Sequence, residues 1–201
     1  MTAEALALCA ALAAAAAPGA IAPPAVEIRP AVLALGGGDT ARVVVRSAGG
    51  PPRLFASAGA LRRAVETEPG VFEAVLEPPL EAHPQLALVA AVAPGGEVGY
   101  AWLPLVGRGV AIARTEPNAK VSVRIRTRTF GPALADANGV ASVPVEVPPG
   151  ERYAYDRGRA LDLRVPPLRQ AVLLLDRREL RADRAETVTV WAFAATPDGA
   201  P

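Results

Sequence analysis

Residues 120 to 129 read KVSVRIRTRT, and no other run constrains the fold as strongly. Val121, Val123 and Ile125 share one parity, while Lys120, Ser122, Arg124, Arg126 and Arg128 share the other. A period of two is that of an extended strand, whose side chains alternate between faces. A slip of one residue would put three arginines into an apolar core, so the register is fixed by the cost of burying charge. The pattern predicts one strand over residues 120 to 129 with a basic stripe on its solvent face.

The same grammar recurs along the chain in short runs broken by Gly and Pro. In residues 41 to 47 Val43 and Val45 face in, with Arg42 and Arg46 facing out. In residues 71 to 77 Phe72, Ala74 and Leu76 oppose Glu73 and Glu77. Leu86, Leu88, Ala90 and Val92 share a face, as do Val98, Tyr100 and Trp102. Residues 140 to 147 turn Ala141, Val143, Val145 and Val147 inward. Pro144 on the outer face lacks a ladder donor and marks an edge strand. Residues 171 to 175, AVLLL, are apolar on both parities, the pattern of a central strand. Residues 58 to 66 could make two helical turns, but Gly59 and the Pro69-Gly70 stop favour a strand or an irregular crossover.

Many short strands with regular turn signals predict an all-β chain of tandem antiparallel β-sandwiches. The punctuation divides it into residues 25 to 107, residues 108 to 180, and a tail of residues 181 to 201. That tail either completes the second sandwich or opens a truncated third domain. Residues 5 to 22, ALALCAALAAAAAPGAIA, form an apolar leader ending in the small-x-small pattern Ala20-Ile21-Ala22. Residues 1 to 22 therefore read as a signal peptide removed by cleavage, with a cut nearer Ala16 or an uncleaved anchor as alternatives. Glu4 and the absence of Lys or Arg ahead of the run depart from the usual signal pattern.

Two resemblances follow from particular stretches. Leu54-Phe55-Ala56-Ser57-Ala58-Gly59-Ala60-Leu61, Pro69-Gly70-Val71-Phe72-Glu73-Ala74-Val75-Leu76 and Leu88-Val89-Ala90-Ala91 follow one another in an order seen in bacterial Ig-like domains. Residues 25 to 107 thus resemble the invasin and intimin kind of Ig-like domain. Ala119 to Val123, Phe130-Gly131-Pro132, Ala135 to Ala141 and Val147-Pro148-Pro149-Gly150 resemble a carboxypeptidase-regulatory or transthyretin-like β-sandwich. Residues 151 to 170 depart from that second pattern, being charged and irregular where it has a bulge and a strand. Residues 178 to 201 resemble the opening of a further Ig-like domain. The resemblances imply a surface protein built from sandwich modules.

Chemistry is sparse. The 201 residues hold one cysteine, Cys9 in the leader, and one histidine, His83. A leaderless chain has no thiol for a disulfide, a zinc site or a nucleophile. No Gly-x-Ser-x-Gly elbow accompanies His83, which reads as a loop residue. Gly36-Gly37-Gly38-Asp39-Thr40 lacks the Lys and the helix of a phosphate loop and reads as a turn. Asp136 and Asn138 have the alternate spacing of calcium ligands but lack the distal Glu, so a β-turn is expected. Tyr153 and Tyr155 share a parity and form either a sugar platform or a packed pair. Trp102 and Trp191 read as core residues.

The net charge of +1 gives no general attraction for nucleic acid. Arg124, Arg126 and Arg128 form either a solvated face balanced by glutamates or a patch for an anionic partner. The expected function is that of a non-enzymatic, extracytoplasmic structural or adhesive spacer within a larger bacterial surface protein. The alternative is a module that binds glycan or another envelope polymer. Either reading places the chain in the periplasm, at the cell surface or outside the cell. Its expected partners are an envelope glycan or another surface protein, with no nucleic acid, no cofactor or metal, and no membrane insertion after signal cleavage. The sequence leaves the oligomeric state open.

Overall fold

The computed structural model describes residues 22–176, 185 and 187–200. The leader, with Cys9 and the proposed cleavage sites, lies outside these residues except for Ala22, as does much of the segment that resembles a third domain. Every regular element among the described residues is a β-strand. In chain order they are β1 (Ala25–Arg29), β2 (Leu33–Ala34), β3 (Ala41–Arg46), β4 (Arg53–Ala56), β5 (Ala60–Leu61), β6 (Val65–Glu68), β7 (Val71–Glu77) and β8 (Gln85–Val92). There follow β9 (Val98–Arg114), β10 (Lys120–Ile125), β11 (Arg128–Leu134), β12 (Val140–Val147), β13 (Tyr153–Asp156), β14 (Arg159–Asp162), β15 (Ala171–Leu175) and β16 (Val190–Ala194).

The first sandwich sets the sheet β1-β3-β7-β5, with β6 also on β7, against β4, β8 and the first half of β9. Valine and isoleucine suit this pleated surface because their branched Cβ packs well there. The alternation in β3 buries Ala41, Val43 and Val45, and the antiparallel register sets Val43 beside Ala74 and Val45 beside Phe72. Leu33, Leu35, Leu76, Val89, Leu103 and Leu105 close the core from both sheets. On the outer face the Arg42 guanidinium grips Glu73, with Nε donating to Oε2 at 3.0 Å. That hydrogen bond, with the charge of Arg42, holds the Glu73 carboxyl below the ordinary glutamate value.

The second sandwich sets β12 and the second half of β9 against the sheet β11-β10-β13-β14. Its core joins Ala111, Ala113, Ala141, Val143, Val145 and Val147 to Val121, Val123, Ile125 and Ala154. β12 is the edge of its sheet, with Pro144 opposite Val110. β13 and β14 form a hairpin within residues 151 to 170, where the sequence led us to expect irregular chain. The signal there is Arg157-Gly158, both at positive φ (46° and 86°), which makes a tight two-residue connection.

β9 is a single strand of 17 residues, spanning about 55 Å at the usual rise. It pairs with β8 from Val98 to Leu105 and with β12 from Gly107 to Arg114. The expected division after residue 107 therefore falls inside a continuous strand. Gly107 sits where the loop holding Ala82 and Pro84 crosses the strand; a Cβ there would come within 2.6 Å of the Ala82 carbonyl oxygen and of Pro84.

β8 is buried on both faces, so the expected shared face of Leu88 and Ala90 is one of its two buried sides. Ala87, Val89 and Ala91 face the main core, while Leu88 and Ala90 belong to a small core on the opposite face. The cover is the antiparallel hairpin β15–β16, which lays Val172, Leu174, Trp191 and Phe193 over Leu88, Ala90, Val98 and Trp102. Tyr100 meets Phe193 edge to face, with ring centroids 4.8 Å apart. The tail strand thus pairs within residues 108 to 180, yet its hairpin packs on the first sandwich. β15 is correspondingly not central: it lies in a two-stranded sheet, with Leu173 and Leu175 exposed. Of its two apolar faces only that of Val172 and Leu174 is covered, in the small core with β8.

Two predictions follow from this packing. Phe193→Ala removes the one fully inserted side chain of the hairpin and should cost about 3 kcal/mol, by analogy with other buried Phe→Ala changes. The loss should be local: amides of Ala171–Leu175 and Val190–Ala194 should exchange faster, while those of Val43 and Val143 keep their protection. Acceleration in all three regions alike would show that the hairpin is not a separable unit.

For Glu73 the folded carboxyl lies below its ordinary 4.5, so the Arg42 pair stabilises the fold above that pH and is lost as pH falls through the folded value. Urea melts should therefore show wild type losing more stability than Glu73→Gln on acidification below 4.5. Parallel pH profiles would refute the linkage.

Candidate functional site

The arginine stripe does not survive as one line. The strand predicted over 120 to 129 breaks at Arg126 and Thr127, which form a two-residue turn that pairs Ile125 with Arg128. Arg126 takes φ 51°, a conformation that usually falls to Gly or Asn, which is why nothing in the sequence announced the turn. Arg124 remains on β10, exposed and in register with Thr129 and Tyr155. Arg126 Nε donates to Glu151 at 2.6 Å, and its Nη1 lies 3.3 Å from Asp198. The hydrogen bond from Arg126 to Glu151 chiefly raises the guanidinium above its ordinary value. Arg128 pairs with Glu146 at 2.6 Å and stacks over Phe130 with 5.2 Å to the ring centroid. Two of the three cations thus face carboxylates, and only Arg124 remains without an ion pair among the described residues.

The other sequence candidates fall as follows. Asp136 Oδ1 accepts the N–H groups of Asn138 and Val140 at 2.9 and 2.8 Å, so this oxygen closes a turn. No group of three or more His, Cys, Asp or Glu that could hold a metal occurs among the described residues. Tyr153 and Tyr155 stand on the exposed face of β13, with Arg124 beside Tyr155. Trp102 and Trp191 are half-buried in the small core under the hairpin.

His83 lies in the loop before β8 and lines a cleft of about 880 Å³. One wall is the chain from Phe55 to Gly59, the opposite wall runs from Pro166 to Arg169 and on along β15, and the floor includes Leu86, Leu88 and Ala90. Glu81, Gln85 and Arg169 join His83 in the lining. Ser57 also lines it, but its Oγ accepts the Leu88 N–H at 2.8 Å. His83 makes no hydrogen bond to Ser57 or Glu81 among the described residues, so no nucleophile–base pair is formed. The Gln85 Nε2 amide is buried without a protein partner among the described residues. Sequence reading isolated His83 but not its neighbours, because residues 166 to 174 reach them only through the hairpin's return to the first sandwich.

No family model and no curated protein matches the chain. Among solved structures it is similar to the adhesin InvE of Yersinia pseudotuberculosis, at a TM-score of 0.33 and 14% sequence identity. The match covers 68% of this chain and 56% of that one, so the chain spans just over half of that adhesin's length. A similarity of this size assigns neither a family nor an activity.

Proposed function

We propose that this chain is a non-enzymatic, extracytoplasmic spacer of a surface protein, stiff rather than jointed. One observation carries the reading: β9 runs unbroken through both sandwiches, so the two cores share a strand in place of a linker. Flexing between them would break ladder hydrogen bonds, each worth about 1 kcal/mol net. Secondary ties cross the same junction. Arg108 N donates to the Ala82 carbonyl at 3.1 Å, Arg126 meets Asp198, and Gly150 lies against Pro197. The placement of part of the side-chain chemistry agrees: Asp136 closes a turn, and Arg126 and Arg128 are held in ion pairs. Export and membership of a larger surface protein rest on the leader and the sequence resemblance.

The second reading, an envelope-polymer or glycan binder, is favoured by Tyr153, Tyr155 and Arg124 on one exposed face, since aromatic rings with an adjacent donor suit stacked sugars.

Spin labels at Thr40→Cys and Thr127→Cys, in a Cys9→Ser background, should give one narrow distance distribution. Inserting Gly-Gly between Gly107 and Arg108 should broaden it. A broad distribution in the uninterrupted chain would remove the spacer reading. Specific retention on a glycan array that is lost in Tyr153→Ala/Tyr155→Ala would establish the second reading.

A further inference from the structure

We propose that the cleft beside β15 is a strand-acceptor slot, filled by a single extended polypeptide segment that is apolar at alternate residues. The proposal goes beyond the spacer reading and stands on different observations.

The wall formed by β15 is an edge, not a face. Ala171, Val172, Leu173 and Leu174 all line the cleft, and these consecutive residues alternate in parity. No residue of β16 lines it, so the cleft lies on the side of β15 away from its partner. The hydrogen-bond phase identifies the free groups. Ala195 N donates to Gln170 O at 2.9 Å and Asp176 N to Thr189 O at 3.1 Å, so the even-numbered residues of β15 bond toward β16. Bonding alternates residue by residue in an antiparallel ladder, which turns the N–H and C=O of Ala171, Leu173 and Leu175 away from β16, with Ala171 and Leu173 in the cleft wall. No strand other than β16 pairs with β15 among the described residues.

The chemistry of the slot selects its occupant. A row of backbone donors and acceptors recognises another extended backbone by strand addition. The floor supplies the side-chain pockets: Phe55 lies opposite Ala90 on the same sheet face that carries Leu86 and Leu88. An added strand would rest its inner side chains there as Val172 and Leu174 already do. The cleft's volume, about 880 Å³, falls within the roughly 300–1,000 Å³ of ordinary ligand sites. Glu81 and Arg169 bring opposite charges to the lining, which favours a near-neutral segment. Residues 56 to 59 and 166 to 169 flank the slot beside this edge, which suits it to a single strand.

The test uses the full chain and acetylated, amidated heptapeptides with Val, Leu or Ile at alternate positions and Thr between. Amide exchange by NMR should show Ala171, Leu173 and Leu175 slowed at least tenfold by saturating peptide, and not by the same peptides N-methylated at alternate amides. Leu173→Pro, which removes a cleft-facing N–H and no bond to β16, should weaken peptide binding at least tenfold. If its circular dichroism departs from wild type, Phe55→Arg, which fills the floor, replaces it. The proposal is overturned if no peptide slows these amides, if N-methylated peptides bind equally well, or if the amides are already protected in the free monomer. Protection produced instead by chito-oligosaccharide, or by concentration-dependent dimers in sedimentation, would assign the cleft to a different occupant and also overturn it. None of these outcomes depends on the stiffness of β9, so the spacer reading stands or falls separately.

Discussion

A hydrogen-bonded strand cannot bend at an arbitrary residue without giving up ladder bonds, and here one strand of 17 residues carries both cores. β9 places β8 along its first half and β12 along its second, so the order of the two sandwiches is set by backbone pairing. Near the exchange sit Gly107 and Gly109. The first lets the Ala82–Pro84 loop cross within contact distance, and a Cβ on the second would lie 3.6 Å from Val147. The loop that carries His83 is fixed by that crossing, and with it one side of the cleft. The order of the sandwiches and the place of that loop therefore both follow from the pairing along β9.

The second constraint is the apolar outer face of β8. A sheet with water on one side alternates apolar with polar, whereas QLALVAAV is apolar at nearly every position and needs cover on both faces. The hairpin provides it, but only in part: its two strands span Leu88, Ala90, Val98 and Trp102 and leave Phe55 on β4 half-exposed at the border. The cleft is the uncovered strip, bounded by the last covering strand. Its existence follows from a two-stranded sheet lying on a wider one.

Strand character and inward faces were legible wherever one side met water, as in β3, β7, β10 and β12, because a single buried face writes a period of two. β8 hid its orientation, since two buried faces erase that period: the shared face of Leu88 and Ala90 was legible, but not which core it meets. The turn at Arg126 was hidden for another reason: it has neither Gly nor Asn, and the alternation continues in the letters through residues that have left the strand. β15 misled in the opposite sense, with a central-strand composition at an edge. Of the candidate site, His83 was visible as the lone imidazole, while Phe55, Gln85 and Arg169 converge on it only in three dimensions.

Edges are where β proteins associate, and the strands here manage theirs in distinct ways. β12 carries Pro144; β11 carries Arg128 and Pro132; β14 has Arg159 and Asp162; β1 has Glu27 and Arg29; β4 opens on Arg53 after Pro51-Pro52. Charge or proline on each blocks or disfavours an approaching strand. The β15–β16 hairpin has neither, and in β15 nothing in AVLLL opposes pairing. The β15 edge differs from the others in lying along a cleft flanked by residues 56 to 59 and 166 to 169. The cleft leaves the backbone groups of Ala171 and Leu173 facing the space that an extended chain would occupy.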